Sequence, residues 1–262
     1  MTIDIYQIDA FTTELFHGNP AAVCPLKEWL PFEILLNIAK ENNLAETAYF
    51  VHKHDNIFHL RWFTPEIEMD LCGHATLASA FVITQCLDFD FESIVFETLS
   101  GNLVVSTVGH QLEMDFPSRP PIAAELPEII KQSLSIAPRE IYKARDYVLL
   151  YDTEENILNL TANAALLEQI NIDPGGIIVT AKGKESDFVS RFFTPGAEVF
   201  EDPVTGSAHC SLVPFWAERL NKTSLHARQI SERSGDLYCK IENNRVFIKG
   251  SAVKYLQGQI EI

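Results

Sequence analysis

Arg61-Trp62-Phe63-Thr64-Pro65 returns as Arg191-Phe192-Phe193-Thr194-Pro195, displaced by 130 residues (191 − 61), and this recurrence decides how the chain is read. The displacement is about half of the 262 residues. At the same offset Phe58 meets Phe188, and the strand-like run Thr47-Ala48-Tyr49-Phe50-Val51 meets Ile177-Ile178-Val179-Thr180-Ala181. Further upstream, helix-like FEILLNIAKEN (32–42) corresponds to TANAALLEQIN (161–171). Downstream, Gly73-His74-Ala75 meets Gly206-Ser207-Ala208 at an offset of 133 (206 − 73), so the second copy carries three extra residues, and Glu201-Asp202 falls within that insertion. A single pentapeptide could recur by chance. The order helix, strand, hairpin, strand and Gly-led helix, kept twice, reads as two copies of one supersecondary unit.

Each half continues alike. An apolar helix follows the glycine, from His74 to about Leu87 and from Ser207 to about Leu220. Alternating strands come next: Leu103–Thr107 and Gln111–Phe116 in the first half, Leu237–Ile241 and Arg245–Lys249 in the second. Gly109 and Asn243-Asn244 supply hairpin turns between them. Pro214 is expected to kink or shorten the second helix, because proline removes an interior N–H. Pro117-Ser118-Arg119-Pro120-Pro121 cannot continue a sheet and reads as the linker. This places one domain at 1–116 and a second at 117–262, with the last strand free to return to the first. The class is α+β. ATLASAFVITQCL has no polar face and must be enclosed, which a mostly antiparallel sheet curled around a central helix would achieve.

Composition narrows the function classes. The hydrophobic fraction of 47% is that of a globular protein, and the formal net charge is −16, spread along the chain. Such a surface repels phosphate backbones, so no nucleic-acid partner is expected. No apolar run reaches the ~20 residues that span a bilayer, and MTIDIYQIDA alternates like a strand, unlike a signal peptide. No membrane partner is expected, and the cytoplasm is the default compartment. Five widely spaced cysteines without a CxxC pair argue against a disulfide framework and a structural zinc. Neither a metal nor a cofactor is expected.

Three places carry chemistry. The Gly73-His74 and Gly206-Ser207 helix starts offer free N–H groups, the positive end of a helix dipole and a side-chain donor, which suits a carboxylate; glycine in a turn followed by a helix cap reads the same way. Glu46 is the only charge between Glu41 and His52, at the mouth of a largely buried strand. Desolvation makes such a carboxylate a better base near neutrality, whereas an edge-facing glutamate would be solvated and inert. Opposite Glu46 in the repeat stands Gly176, so only one half supplies a base. Asp202, near an anion-binding helix start, suits a substrate amine or hydroxyl, or caps the turn before Pro203. Asp202, Ser207 and His209 contain the residue types of a hydrolase triad, but lie within eight residues and without a GxSxG elbow. His52, His54, Asp55 and His59 read as a polar hairpin turn and not as a metal site.

With these residues in view, the chain resembles the PhzF-like (phenazine-biosynthesis-type) proteins, which share the diaminopimelate epimerase fold. The resemblance rests on Asp9-Ala10-Phe11-Thr12, Phe16-His17-Gly18-Asn19-Pro20-Ala21-Ala22-Val23, Asn43-Leu44-Ala45-Glu46-Thr47, Asp70-Leu71-Cys72-Gly73-His74-Ala75-Thr76 and the run from Glu201 to His209. It implies two pseudo-symmetric domains with an active site between them, and a homodimer. By position it gives Glu46 the acid/base role, places Gly73, His74, Gly206 and Ser207 around a substrate carboxylate, sets Asp202 near an amino or hydroxyl group, and adds Asn19 as a pocket residue. Epimerases of this fold use two thiols, one at the head of each central helix. Here Cys72 holds the first position, where it is at most an accessory, and Thr205 the second. A threonine hydroxyl is far too weak to replace a thiolate.

The expectation is therefore a cofactor-independent isomerase in which one glutamate removes and returns a proton on a small amino- or hydroxy-carboxylic acid. A Cys72-dependent racemase or epimerase, and a non-catalytic metabolite-binding protein on the same fold, are the alternatives.

Overall fold

Period-two alternation, broken by two enclosed helices, builds both halves of the chain. In order, the elements are β1 (Thr2–Ala10), β2 (Asn19–Leu26), α1 (Phe32–Asn42), β3 (Glu46–His54), β4 (Ile57–Phe63), β5 (Glu68–Met69), α2 (Gly73–Gln85), β6 (Ser93–Thr98), β7 (Gly101–Val108) and β8 (Gln111–Pro117). They continue with β9 (Ile122–Ala123), α3 (Glu128–Ser133), β10 (Glu140–Lys143), β11 (Tyr147–Leu150), α4 (Glu154–Asn159), α5 (Ala164–Leu167), β12 (Ile177–Lys182), β13 (Phe188–Phe193) and β14 (Glu201–Asp202). Last come α6 (Gly206–Leu220), β15 (Ser224–Gln229), β16 (Gly235–Glu242), β17 (Arg245–Gly250) and β18 (Ala252–Glu261). This computed structural model describes all residues except Asp88, Asp173, Pro174 and Glu198. The chain divides into two units, Met1–Phe116 with Phe247–Ile262, and Pro117–Val246.

In the first unit β1 pairs antiparallel with β18 on one side and β2 on the other. β2 runs parallel to β3, the β3–β4 hairpin follows, and β4 runs parallel to β6, which continues antiparallel into β7 and β8. The second unit repeats the pattern. β10 lies between β9 and β11, β11 is parallel to β12, and β13 is parallel to β15 after the β12–β13 hairpin. Each sheet is thus mostly antiparallel with two parallel joints, and each wraps a central helix.

Helix α2 is buried on every side, from Gly73 through Ala80 and again at Val82 and Ile83, and packs against β1, β2, β3 and β18. Its buried hydroxyls need no outside partner: Thr76 Oγ1 donates to Cys72 O at 2.5 Å and Ser79 Oγ to Ala75 O at 2.7 Å. On the opposite face α1 lays Leu35, Ile38 and Ala39 against Ile3, Cys24, Tyr49 and Phe63. Covered on both faces, β3 carries the unbroken apolar run Ala48-Tyr49-Phe50.

The repeated pentapeptide has a physical cause. Arg61 grips Glu68 through Nε–Oε1 at 2.6 Å and Nη2–Oε2 at 2.8 Å, and Arg191 grips Glu201 in the same fork at 2.7 and 2.8 Å. Each guanidinium also lies over the following phenylalanine, Phe63 or Phe193, about 5 Å from the ring centre. Glu68 faces Phe63 in register as Glu201 faces Phe193. Glu201-Asp202 is therefore the structural counterpart of Glu68-Met69, and the extra residues of the second copy lie before Phe200 and do not include Glu201-Asp202.

Two other expectations change. The stretch 161–171 forms only the short helix α5, because beyond it the bonds tighten to Gln169 N–H on Leu166 O and Ile170 N–H on Leu167 O. Pro214 does not shorten α6, which runs through it to Leu220. The carbonyl that Pro214 leaves without its helical donor belongs to Cys210, and Arg119 N–H of the linker donates to it at 2.9 Å. The linker is tied down as well by Ser118 N–H on Asn244 O.

Leu77 is fully buried on α2, so Leu77→Ala should destabilise the protein by roughly 2–5 kcal/mol in urea unfolding. A smaller loss would mean that the helix is less tightly enclosed than its burial shows.

Candidate active site

Parallel strands β2 and β3 begin side by side, with Ala21 facing Glu46, and they bring two polar side chains to the start of α2. Glu46, the first residue of β3, is half-buried, and its Oε2 lies 3.0 Å from His74 Nε2 in a bent contact. Asn19, the first residue of β2, is fully buried and sets Nδ2 3.1 Å from His74 Nδ1. Cys72 Sγ lies 3.6 Å from the same nitrogen. Glu46, Asn19, Cys72 and His74 thus form one cluster in the first unit, and Gly73 opens the helix between Cys72 and His74. Neither Cys72 nor Thr205, the residues before the two central helices, makes a side-chain cap bond, although the Ala75 N–H faces the Cys72 sulfur.

Burial opposes charge on His74, but Cys72 and Glu46 outweigh it and hold the imidazole pKa well above the ordinary histidine value. The Cys72 thiol is itself raised, by burial first and by Glu46 second, against the pull of His74. The imidazole and the thiol are thus tied to each other, and the Glu46 carboxylate is the second of the two neighbours that favour a cationic His74. Asn19 suits either state of the ring: Nδ2 donates to a neutral Nδ1, and the rotated amide offers Oδ1 to a protonated one. The ligating atoms of Glu46, Cys72 and His74 lie within 4.8 Å of one another. Carboxylate and thiol nevertheless approach opposite ring nitrogens, and the helix end beneath them is positive, so a single cation fits these contacts poorly.

In the second unit the polar side chains of the run 202–209 have partners of their own. Thr205 Oγ1 donates to Asp202 Oδ2 at 2.5 Å, and the buried Gln229 bridges the loop, accepting from Thr205 N–H at 2.9 Å and donating to Asp202 O at 2.7 Å. Ser207 Oγ accepts from Arg145 Nη2 at 3.0 Å. His209 Nδ1 meets Thr205 O at 2.8 Å, and burial pushes its pKa down to about 4. Asp202, Ser207 and His209 therefore do not join into a hydrolase triad. In the β3–β4 hairpin His59 accepts from Trp29 Nε1 at 3.0 Å and His54 contacts Asp55, with no convergence on a metal among the described residues.

The sequence matches the phenazine biosynthesis-like protein family (PhzC-PhzF) over residues 8–258. The chain belongs to that family. An uncharacterized isomerase of Pseudomonas aeruginosa is 47% identical over 262 residues, covering 100% of both chains. The crystal structure of a phenazine biosynthesis protein of the PhzF family from Enterococcus faecalis matches with a TM-score of 0.95 at 42% identity over 100% of both chains. A probable proline racemase from Agrobacterium radiobacter shares the fold alone, with a TM-score of 0.63 at 9% identity over 99% of this chain and 92% of that one. Two-domain curved sheets around central helices are thus common to this family and to racemases of the same fold. No helix among the described residues is long and apolar enough to cross a membrane.

Sequence reasoning missed Arg145, Asp146 and Gln229. Arg145-Asp146 was visible as an opposite-charge pair directly before the apolar run Tyr147–Leu150; Gln229 carried no signal, since nothing local distinguishes a buried amide from an exposed one.

A raised folded-state pKa means that protonated His74 stabilises the fold. That contribution is whole below the unfolded value of about 6.5 and is lost as pH rises through the folded value. NMR titration should therefore find the His74 imidazole still protonated above pH 6.5, and Glu46→Gln should lower its pKa. The stability gap between wild type and His74→Gln should shrink as pH rises; a gap that widens would refute the assigned charge state.

Proposed function

We propose that the chain is a cofactor-independent isomerase in which Glu46 alone removes and returns a proton on a small amino- or hydroxy-carboxylic acid. The observation that carries this reading is the Glu46–His74 contact of 3.0 Å inside a mostly buried cluster. It holds one carboxylate beside a cation at the open end of a central helix, and the repeat offers no second base, since Gly176 and Thr205 stand at the matching places. The relative that is named an isomerase supports the reaction class.

In this reaction a C–H bond next to an activated carbon breaks and the proton passes to a Glu46 oxygen. The electron pair spreads through the conjugated system of the substrate. A new C–H bond then forms at another carbon of that system, and Glu46 returns to the carboxylate. Cationic His74 and the first-turn N–H groups at Gly73 give the developing negative charge a preorganised positive field. Asp202, Gly206 and Ser207 are the substrate-binding groups of the second unit, Asp202 toward an amine or hydroxyl and Ser207 toward the carboxylate. Cys72 is an accessory, because its raised thiol makes little thiolate at neutrality.

General-base catalysis is worth ~10²–10⁴-fold. Incubation of candidate acids in deuterium oxide should therefore show exchange that falls by about that factor in Glu46→Gln, with ligand affinity roughly kept. Cys72→Ser should change exchange by less than about threefold, well short of what loss of a base costs. Severe loss in Cys72→Ser would favour a thiol racemase, and binding without exchange in the wild type would favour a metabolite-binding protein.

A further inference from the structure

Ser207 does not stand alone at the head of α6. Asp146, directly before β11, is 1% exposed and accepts the Gly176 N–H at 2.8 Å, which fixes it to the start of the neighbouring β12. Arg145 closes on that carboxylate through Nε at 3.1 Å and Nη2 at 2.9 Å, and the same Nη2 reaches Ser207 Oγ at 3.0 Å. A guanidinium has donors only. Ser207 Oγ must therefore accept from Arg145, and its own proton must turn toward some other acceptor. The positive charge beside the oxygen also polarises the O–H bond and strengthens it as a donor.

The first unit does the same job in the same place. His74, the counterpart of Ser207 in the repeat, is held by Asn19 at the start of β2, the strand parallel to β3. Arg145-Asp146 stands at the start of β11, the strand parallel to β12. In each unit a polar group at the head of this parallel strand orients the second residue of the central helix.

We propose that Arg145, locked by Asp146, is a positioning residue that fixes Ser207 as a hydrogen-bond donor to a carboxylate ligand. This rests on the reading that Ser207 receives the substrate carboxylate. Arg145 acts through Ser207, so its contribution should vanish when the hydroxyl is gone.

The test uses titration calorimetry on the full chain with salicylate and its neutral amide, salicylamide, as probes. Losing a charge-supported hydrogen bond should weaken salicylate by about tenfold or more in Arg145→Met, while salicylamide weakens by less than about threefold. Arg145→Lys, which keeps the charge and loses the fork, should recover part of the affinity. Ser207→Ala should match Arg145→Met, and the double variant should add nothing further. Unchanged salicylate affinity in Arg145→Met and Arg145→Lys overturns the proposal. So do equal losses for both probes, which mark a merely structural role, and additive losses with Ser207→Ala, which mark direct contact. Absence of salicylate binding to the wild type overturns it too, and leaves the Glu46 assignment to stand or fall on deuterium exchange. If Arg145→Met does not fold, Arg145→Lys and Asp146→Asn decide by the same ratio of the two probes.

Discussion

Everything in this molecule follows from burying a helix that has no polar face. The sheet that encloses α2 satisfies the side chains of that helix by packing and its hydroxyls by bonds to its own backbone. The N–H groups of the first turn have no such recourse, because the helix holds no carbonyl four residues before them. Enclosure therefore leaves one end of each helix as its reactive place, and the strands that begin beside it decide what kind of place it is. At α2 they contribute Glu46 and Asn19; at α6 the neighbouring segments contribute the Arg145–Asp146 pair and Gln229.

The two units share a scaffold and differ in chemistry. The Arg–Glu forks at Arg61 and Arg191 are near copies, down to the aromatic ring beneath each guanidinium. A bidentate fork tolerates no substitution by lysine or aspartate without loss of geometry, which explains why this stretch stayed readable while the rest of the repeat drifted. At the helix heads Cys72 and Thr205 occupy equivalent positions with different duties. The thiol sits against an imidazole, and the threonine hydroxyl is spent on Asp202. Thr76 and His209 both hold the carbonyl four residues back, so unlike side chains can carry the same structural function.

This pattern also explains what could be read from residues alone. Strand alternation, the two apolar helices and the hairpin turns were legible because burial writes directly into sequence periodicity. Glu46 and His74 stood out because each lies in a short run of unusual residues beside a strand or helix start, Asn19 came only from the family resemblance, and the structure brings the three to one cluster. Errors arose where the deciding contact is distant. The insertion was misplaced because the partner of Arg191 is fixed by strand register, not by spacing from Gly206. Pro214 leaves its helix whole because the donor for Cys210 O comes from Arg119, about 90 residues earlier in the chain. Arg145 escaped notice because its target, Ser207, lies 62 residues away.

The return of β18 to β1 has a consequence for how the protein is made. The first unit is completed by Phe247–Ile262, so its opening strand waits for its outer partner while the whole second unit is synthesised. At ~5–20 residues per second the wait from the end of β1 to the end of β18 lasts roughly 12–50 seconds on the ribosome. During it β1 presents an open edge, the feature that invites pairing with a stranger. Exposed Asp4 within β1 puts negative charge beside that edge, in keeping with a nascent chain that must stay single until its own end arrives.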